Sequence, residues 1–420
     1  MPEHRTILHC DINNFYASVE ALLNPALKEK AIAVCGNPEK RHGIVLAKSM
    51  PAKKAGVKTG DAVWQAMQKC PELIVVPPTF SKYTEYSTLV YNIYIRFSSE
   101  VESFGLDECW LDVTGCTNLF GSGEEIAYQI KETVKAETGL TISAGVSFTK
   151  VFAKLGSDLK KPDAVTVISP TNFKKVAWPL PVDNMIYVGR NMREKLARLN
   201  INTIGDLACA NLALLEGKFG KIGQKLHAYA NGTDNEPVKQ YTDRHIPKSI
   251  GNGTTTPQDI TNLEDATSVI FALCEMIGFR LRQYEMIAEG VAVHLRSVHF
   301  NTISRQSAMP PTSSAYAIAT SALKLLKENY DLSDDAPLRT ITVSTFHLKR
   351  SGNFVQVSLF DDEDPAKDKR LDESVDNLRK KYGYGVLRRG VNLGTIFTCD
   401  DREAEDEFLP FNKNMKNLTE

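Results

Sequence analysis

The stretch from Thr6 to Leu23 restricts the possible folds more than any other. Thr6 to Ile12 is apolar and β-prone, so it reads as a buried strand, and Asp11 stands near its C-terminal end. Phe15 to Leu23 follows at once as an amphipathic helix, with Phe15, Val19 and Leu22 on one face. A buried strand that feeds directly into such a helix implies a sheet with helices packed on it. Open sheets of this kind take ligands at the carboxyl ends of their strands. Asp11 therefore has two readings. Taken alone it reads first as the cap of the following helix; the other reading is an oxygen ligand for a hard divalent cation.

The same alternation continues downstream. Ala31 to Cys35 and Gly43 to Lys48 read as strands, Met50 to Ala55 as a short helical turn, and Asp61 to Gln68 as a helix, with Pro77-Pro78 closing this lysine-rich module of about residues 20 to 79. Helices are expected over Lys82–Ser98, Glu124–Glu137 and Lys150–Leu159, and strands over Cys109–Val113, Thr141–Phe148 and Ala164–Ile168. The pattern describes an α/β or split-βαβ domain interrupted by a small lysine-rich module. After Pro179-Leu180-Pro181 the chain turns helical, and Pro237 to Pro247 is polar and linker-like. From Lys248 it reads strand, helix (Leu263–Tyr284), strand (Ala288–Val298), helix (Ala315–Asn329), strand (Leu338–Leu348). A charged tail with little periodicity ends the chain.

Composition narrows the class. A chain of 420 residues accommodates two to four domains. No apolar run is long enough to span a bilayer, and Met-Pro-Glu-His-Arg lacks the apolar core of a signal peptide, so a cytoplasmic protein is expected. The eight cysteines include no CxxC pair, which argues against zinc and disulfides. A net charge of −1 conceals an uneven distribution: basic residues outnumber acidic ones from Val151 to Ile250, and the reverse holds from Ser351 to Glu420. On charge alone a solvated basic surface and a polyanion site rank equally.

A second acidic feature, Phe104-Gly105-Leu106-Asp107-Glu108-Cys109-Trp110-Leu111-Asp112, sharpens the chemistry. Neighbouring side chains of a regular strand point to opposite faces, so Asp107 and Glu108 share one site only at a turn into the strand, which Gly105 permits. Beside Asp11 they would supply three oxygen ligands for a pair of divalent ions, an arrangement suited to phosphoryl transfer. An acidic hairpin edge that blocks aggregation is the competing reading.

Asp11-Ile12-Asn13-Asn14-Phe15-Tyr16-Ala17-Ser18-Val19-Glu20, followed downstream by Leu106-Asp107-Glu108-Cys109-Trp110-Leu111-Asp112, closely resembles the bacterial Y-family (DinB/UmuC-type) translesion DNA polymerases. The resemblance implies an α+β multidomain right hand. A split-βαβ palm would occupy 1–19 and 80–171, small fingers 20–79, and a helical helix-hairpin-helix thumb 172–237. A linker (238–247), a βαββαβ-like little finger (248–350) and a tail (351–420) with a clamp-binding motif would follow. It implies template-directed, low-fidelity DNA synthesis with two Mg²⁺ ions held by the carboxylates of Asp11, Asp107 and Glu108 and the Ile12 carbonyl. Tyr16 falls at the steric-gate position that excludes a 2′-hydroxyl, and Asn14 and Phe15 would line the dNTP pocket. Lys53 and Lys161 would reach the triphosphate, although Met50-Pro51-Ala52-Lys53 replaces the family's Tyr-Glu-Ala-Arg and lysine cannot fork bidentately as arginine does. Asn13, acidic in many relatives, is expected to tolerate substitution.

The hairpin at Gly189-Arg190 would give backbone N–H groups to a DNA phosphate, with Lys218, Lys221, Lys225 and Lys248 adding charge. Gln356-Val357-Ser358-Leu359-Phe360 resembles the pentapeptide that binds the sliding clamp (β subunit), with Gln356, Leu359 and Phe360 as its contacts; a last strand of the little finger is the alternative. Primer-template DNA, dNTPs and the clamp are thus the implied partners of a monomer. Two other readings stay open: another palm-type enzyme such as a nucleotide cyclase, and a non-catalytic DNA- and clamp-binding relative. The hairpin and Lys248 to Thr255 oppose the first, and the intact Asp11, Asp107, Glu108 and Tyr16 oppose the second.

Overall fold

The computed structural model describes residues 5–39, 41, 43–243, 246–333, 335–352 and 365–392. In chain order the strands are β1 (Ile7–Ile12), β2 (Ile32–Cys35), β3 (Val45–Lys48), β4 (Ile74–Val76), β5 (Glu100–Ser103), β6 (Glu108–Asp112), β7 (Ile142–Ser147), β8 (Val165–Ile168), β9 (Ser249–Ile260), β10 (Met286–Ser297), β11 (Thr302–Thr312) and β12 (Leu338–Arg350). The described residues form two compact units, the first comprising 5–34 and 45–243, the second Cys35–Ile44 with 246–392. No described helix is long and apolar enough to cross a membrane.

The first unit is built on a mixed sheet in the order β5-β6-β1-β7-β8, with β1 antiparallel to both neighbours and β7 parallel to β8. Successive residues of β1 face opposite sides. Leu8, Cys10 and Ile12 enter a core shared with Val19, Tyr83, Tyr94, Ile126 and Ile130, contributed by helices Phe15–Leu23, Phe80–Tyr94 and Gly123–Thr138. Ile7 faces the other way and packs with Trp110 and Ala153 of helix Lys150–Leu159. That helix lies almost on the backbone of β7: a Cβ at Gly145 would stand 1.9 Å from the Ala153 carbonyl oxygen. No larger residue fits there, and the close approach carries the helix's C-terminal residues over the end of the sheet.

The expected elements of this sheet occur within a few residues of their anticipated bounds. A smaller sheet, β3-β2-β4, includes a strand the sequence did not suggest; β4 is only three residues long. Between Phe173 and Ala230 the chain is helical, and Thr203 and Asp206 explain where Ile204–Cys209 begins. The Thr203 hydroxyl accepts from the Asp206 N–H at 3.0 Å, while the Asp206 carboxylate accepts from the Asn202 and Thr203 N–H groups. The segment expected as a linker is anchored at its start. The Lys239 N–H donates to Glu102 at 3.1 Å and the Tyr241 N–H to the Ser99 carbonyl at 3.0 Å.

In the second unit β11-β10-β12-β9 form an antiparallel sheet, and helices Leu263–Gln283 and Ala315–Asn329 cover one face. The order is βαββαβ. Strand β11 escapes sequence patterning because it is a polar, largely exposed edge that ends in Pro310-Pro311. The uncovered face presents aligned rows that are small or polar and carry no large apolar residue: Gly253, Thr342, His294 and Ser304 in one, Gly251, Ser344, Ala292 and Gln306 in the next.

The tail corrects another expectation. Pro365–Tyr382 is a helix, and its inward stripe is charged. Arg282 donates to Asp376 at 2.6 and 2.9 Å and to Asp372 at 3.1 Å, and Glu275 accepts from Arg379 at 2.9 Å and Arg389 at 2.8 Å. Asp372, Asp376 and Arg379 are buried while Leu371 and Leu378 are exposed, so apolar periodicity could not reveal how this helix docks. Gln356, Leu359 and Phe360 lie outside the described residues.

Candidate active site

Asp11 sits on the central strand, opposite Glu108 of β6 and Ser143 of β7. Asp107 precedes β6, at the exit of a turn in which Gly105 adopts φ +94°. The Ile12 N–H donates to the Asp107 carbonyl at 2.9 Å, the Phe104 N–H to the Glu108 carbonyl at 2.8 Å, and the Ser87 hydroxyl to the Leu106 carbonyl. The turn therefore resolves the strand-alternation conflict. Glu108 is the first strand residue and faces the same side as Asp11, while Asp107 is not yet in the strand. Asp11 is not a helix cap: Asn14, at φ 48°, holds the N-cap position and makes no side-chain capping bond.

Helix Lys150–Leu159 and the turn after it bring cations to these carboxylates. Lys161 Nζ lies 2.6 Å from Asp11 and 2.8 Å from Asp158, and Lys154 Nζ lies 2.6 Å from Glu108. Burial raises the Asp11 pKa; Lys161 opposes that shift and Glu108 adds to it. Asp107 is pushed up to about 6, first by burial and then by the charges of Asp11 and Glu108. Burial works against the Lys161 ammonium, but Asp11 and Asp158 outweigh it and hold its pKa above the usual lysine value. His9 lies behind the cluster, fully buried, with Nδ1 2.8 Å from the Ser157 hydroxyl and Nε2 3.4 Å from Glu108. Burial and then Lys154 push it down to about 3, so it packs as a neutral imidazole edge-on to Trp110.

Mutually repelling, desolvated carboxylates facing Lys154 and Lys161 form an all-oxygen donor set with negative charge to spare, which fits a hard divalent cation. Among the described residues, no group of three or more His, Cys, Asp or Glu side chains forms a ready-made metal cage. Lys154 and Lys161 hold Glu108 and Asp11 instead.

Burial raises the pKa of the Tyr16 hydroxyl, and the charge of Asp107 adds to the shift. Its ring stacks on Tyr83 at 4.1 Å and meets the edge of Phe80 at 5.9 Å. Tyr83, fully buried, donates to Glu20. Phe15 is buried in the core beside Tyr16 and Tyr83. Asn14 is half-buried at the head of the same helix. Lys53 is exposed on helix Met50–Lys54; burial and then its charge depress the ammonium of Lys48, which donates to the Thr59 hydroxyl at 3.0 Å. Elsewhere Gly189, Arg190, Lys218, Lys221 and Lys248 are exposed. Lys225 is engaged locally, 5.4 Å above the rings of Tyr187 and Tyr229 and 3.3 Å from Glu236.

Sequence reasoning missed His9, Lys48, Lys154, Ser157 and the Tyr83–Glu20 support. Lys154 and Ser157 lie one helical turn apart before Lys161, a spacing that marks one face of the helix once that face is known to meet β1.

The impB/mucB/samB family model matches residues 10–158, and the model of that family's C-terminal domain matches residues 247–359. A DNA polymerase-iota thumb-domain model matches residues 187–234. DNA polymerase IV of Acetivibrio thermocellus is 47% identical, over 93% of this chain and 98% of the relative. DNA polymerase IV 1 of Bacillus subtilis is 34% identical, over 98% of this chain and 97% of the relative. Among solved structures, the Y-family DNA polymerase chimera Dbh-Dpo4(243-245)-Dbh superposes with a TM-score of 0.73 at 26% identity, covering 82% of this chain and 99% of that one. With its carboxylates at the sheet end and its hairpin thumb, the chain belongs to the impB/mucB/samB family, the Y-family DNA polymerases.

Proposed function

We propose that Asp11, Asp107 and Glu108 form the catalytic centre at which this translesion DNA polymerase joins a deoxynucleotide to a primer 3′-hydroxyl. The observation that carries the reading is the gathering of three carboxylates and Lys161 at one sheet end, beside the ring of Tyr16. The Ile12 carbonyl would join the carboxylates in holding two Mg²⁺ ions. Such ions, when bound, supply positive charge to the attacking hydroxyl and the departing pyrophosphate. Lys161, with Lys53 and Lys48 contributing more distantly, would bind the triphosphate and stabilise the charge that develops on it. Tyr16, braced by Tyr83 and Phe80, would reject a 2′-hydroxyl by contact, and Asn14 would border the same pocket. Tyr16→Ala should lower discrimination against ribonucleotides by at least about tenfold; unchanged discrimination would remove the gate assignment.

The first unit would supply palm (1–19, 80–171), fingers (20–79) and thumb (172–237), joined by 238–247 to a little finger (248–350). The hairpin at Gly189-Arg190, with Lys218, Lys221 and Lys248, would grip DNA phosphates without reading sequence. Lys225 would contribute only by leaving Glu236. The tail motif Gln356, Leu359 and Phe360 would engage a sliding clamp, and Leu359→Ala with Phe360→Ala should abolish clamp binding while sparing extension without the clamp. The protein would act as a cytoplasmic monomer.

Primer extension with Mg²⁺, run beside Asp107→Ala, tests the assignment. Extension by the parent and none by the variant is expected. Equal extension by both would remove the carboxylates from the chemistry.

A further inference from the structure

Asn13, the position expected to tolerate change, is buried and enmeshed. Its Oδ1 accepts from the Ser143 hydroxyl at 2.8 Å and from the Asp163 N–H at 3.3 Å. An N–H donor at Asp163 fixes the amide's orientation, since the amide nitrogen cannot accept. Asp163 ends the turn that carries Lys161, and it is held from the opposite side as well. Lys131 of helix Gly123–Thr138 donates to the Asp163 carbonyl at 3.2 Å and lies 3.1 Å from its carboxylate. Lys131 is itself largely buried and shares its charge between Asp163 and Glu132, the latter at 3.4 Å. The strand end bearing Asp11 and the turn bearing Lys161 are thus tied together by a bond that neither of those residues makes.

We propose that Asn13 and Lys131 are positioning residues that clamp the turn after helix Lys150–Leu159 and so set where Lys161 meets the incoming triphosphate. The inference rests on the role given to Lys161 above. A lysine on a free turn loses conformational freedom on each engagement with substrate, whereas one on a clamped turn is already placed. The clamp therefore acts on nucleotide affinity.

Steady-state single-nucleotide extension with saturating primer-template tests it in Lys161→Ala, Asn13→Ala, Lys131→Met and the two pairs with Lys161→Ala. Lys161→Ala should raise the dNTP KM by about tenfold or more. Asn13→Ala and Lys131→Met should each raise it about three- to tenfold with kcat changing less. In the Lys161→Ala background both increments should vanish, because the residue they place is gone. A parent-like KM in Lys161→Ala would overturn the role of Lys161 and the clamp with it. A raised KM there, with parent-like values in both clamp variants or increments that persist in the pairs, would overturn the clamp alone. Lys131 lies outside the carboxylate cluster and methionine keeps its apolar stem, so Lys131→Met decides the question if Asn13→Ala does not fold.

Discussion

The two large sheets solve one problem in opposite ways. In the first unit helices cover both faces of β5-β6-β1-β7-β8, so even the polar side chains of β1 are buried. In the second, two helices cover one face of β11-β10-β12-β9 and leave the other in rows of glycine, serine, threonine and histidine. Desolvation shapes the first sheet's acidic end: it raises the carboxyl pKa values of Asp11 and Asp107 and intensifies every charge nearby. The open face of the second retains water and presents small hydroxyls, which suits contact with a sugar-phosphate backbone and places little weight on any one residue. Enclosure concentrates function in a few atoms, and exposure spreads it over many.

Three paired comparisons would break or sharpen this contrast. Asp11→Asn should cut extension by at least about a thousandfold, while Thr342→Ala on the open face should stay within about threefold of the parent. Comparable losses in primer-extension rate would erase the distinction. Next in size is a stability effect. Gly145→Ala drives a methyl group into the Ala153 carbonyl, and should destabilise the first unit by about 3 kcal/mol or more. At Gly253 the obstacle is the Thr342 side chain, so Gly253→Ala should cost roughly 1 kcal/mol. Calorimetry of the separate unfolding transitions distinguishes them. The smallest effect concerns salt. Lys248→Ala should weaken DNA binding about threefold and lower the slope of log affinity against log salt by about one. Lys161→Ala should leave that slope alone; a slope change in Lys161→Ala and none in Lys248→Ala would reverse the assignment.

What the sequence disclosed follows the same division. Asp11, Asp107 and Glu108 were legible because acids at the ends of apolar strands conflict with burial, and Gly105 announced the turn that joins two of them. Lys154, His9 and Ser157 were not, since they acquire meaning only from the register of helix Lys150–Leu159 against β1, which the Gly145 contact sets. Strand β11 was obscured by its polarity, and helix Pro365–Tyr382 by the charges on its inward face.

The ion pairs that dock Pro365–Tyr382 make its attachment to the second unit all-or-none. The helix is moored there by charge, through Arg282 and Glu275, and not by an apolar seam. Removing one partner of such a buried pair strands the other charge without its counter-ion, so the mooring fails abruptly and does not weaken by degrees. Arg282→Ala, which removes the donors to both Asp372 and Asp376, should therefore release the helix in one step.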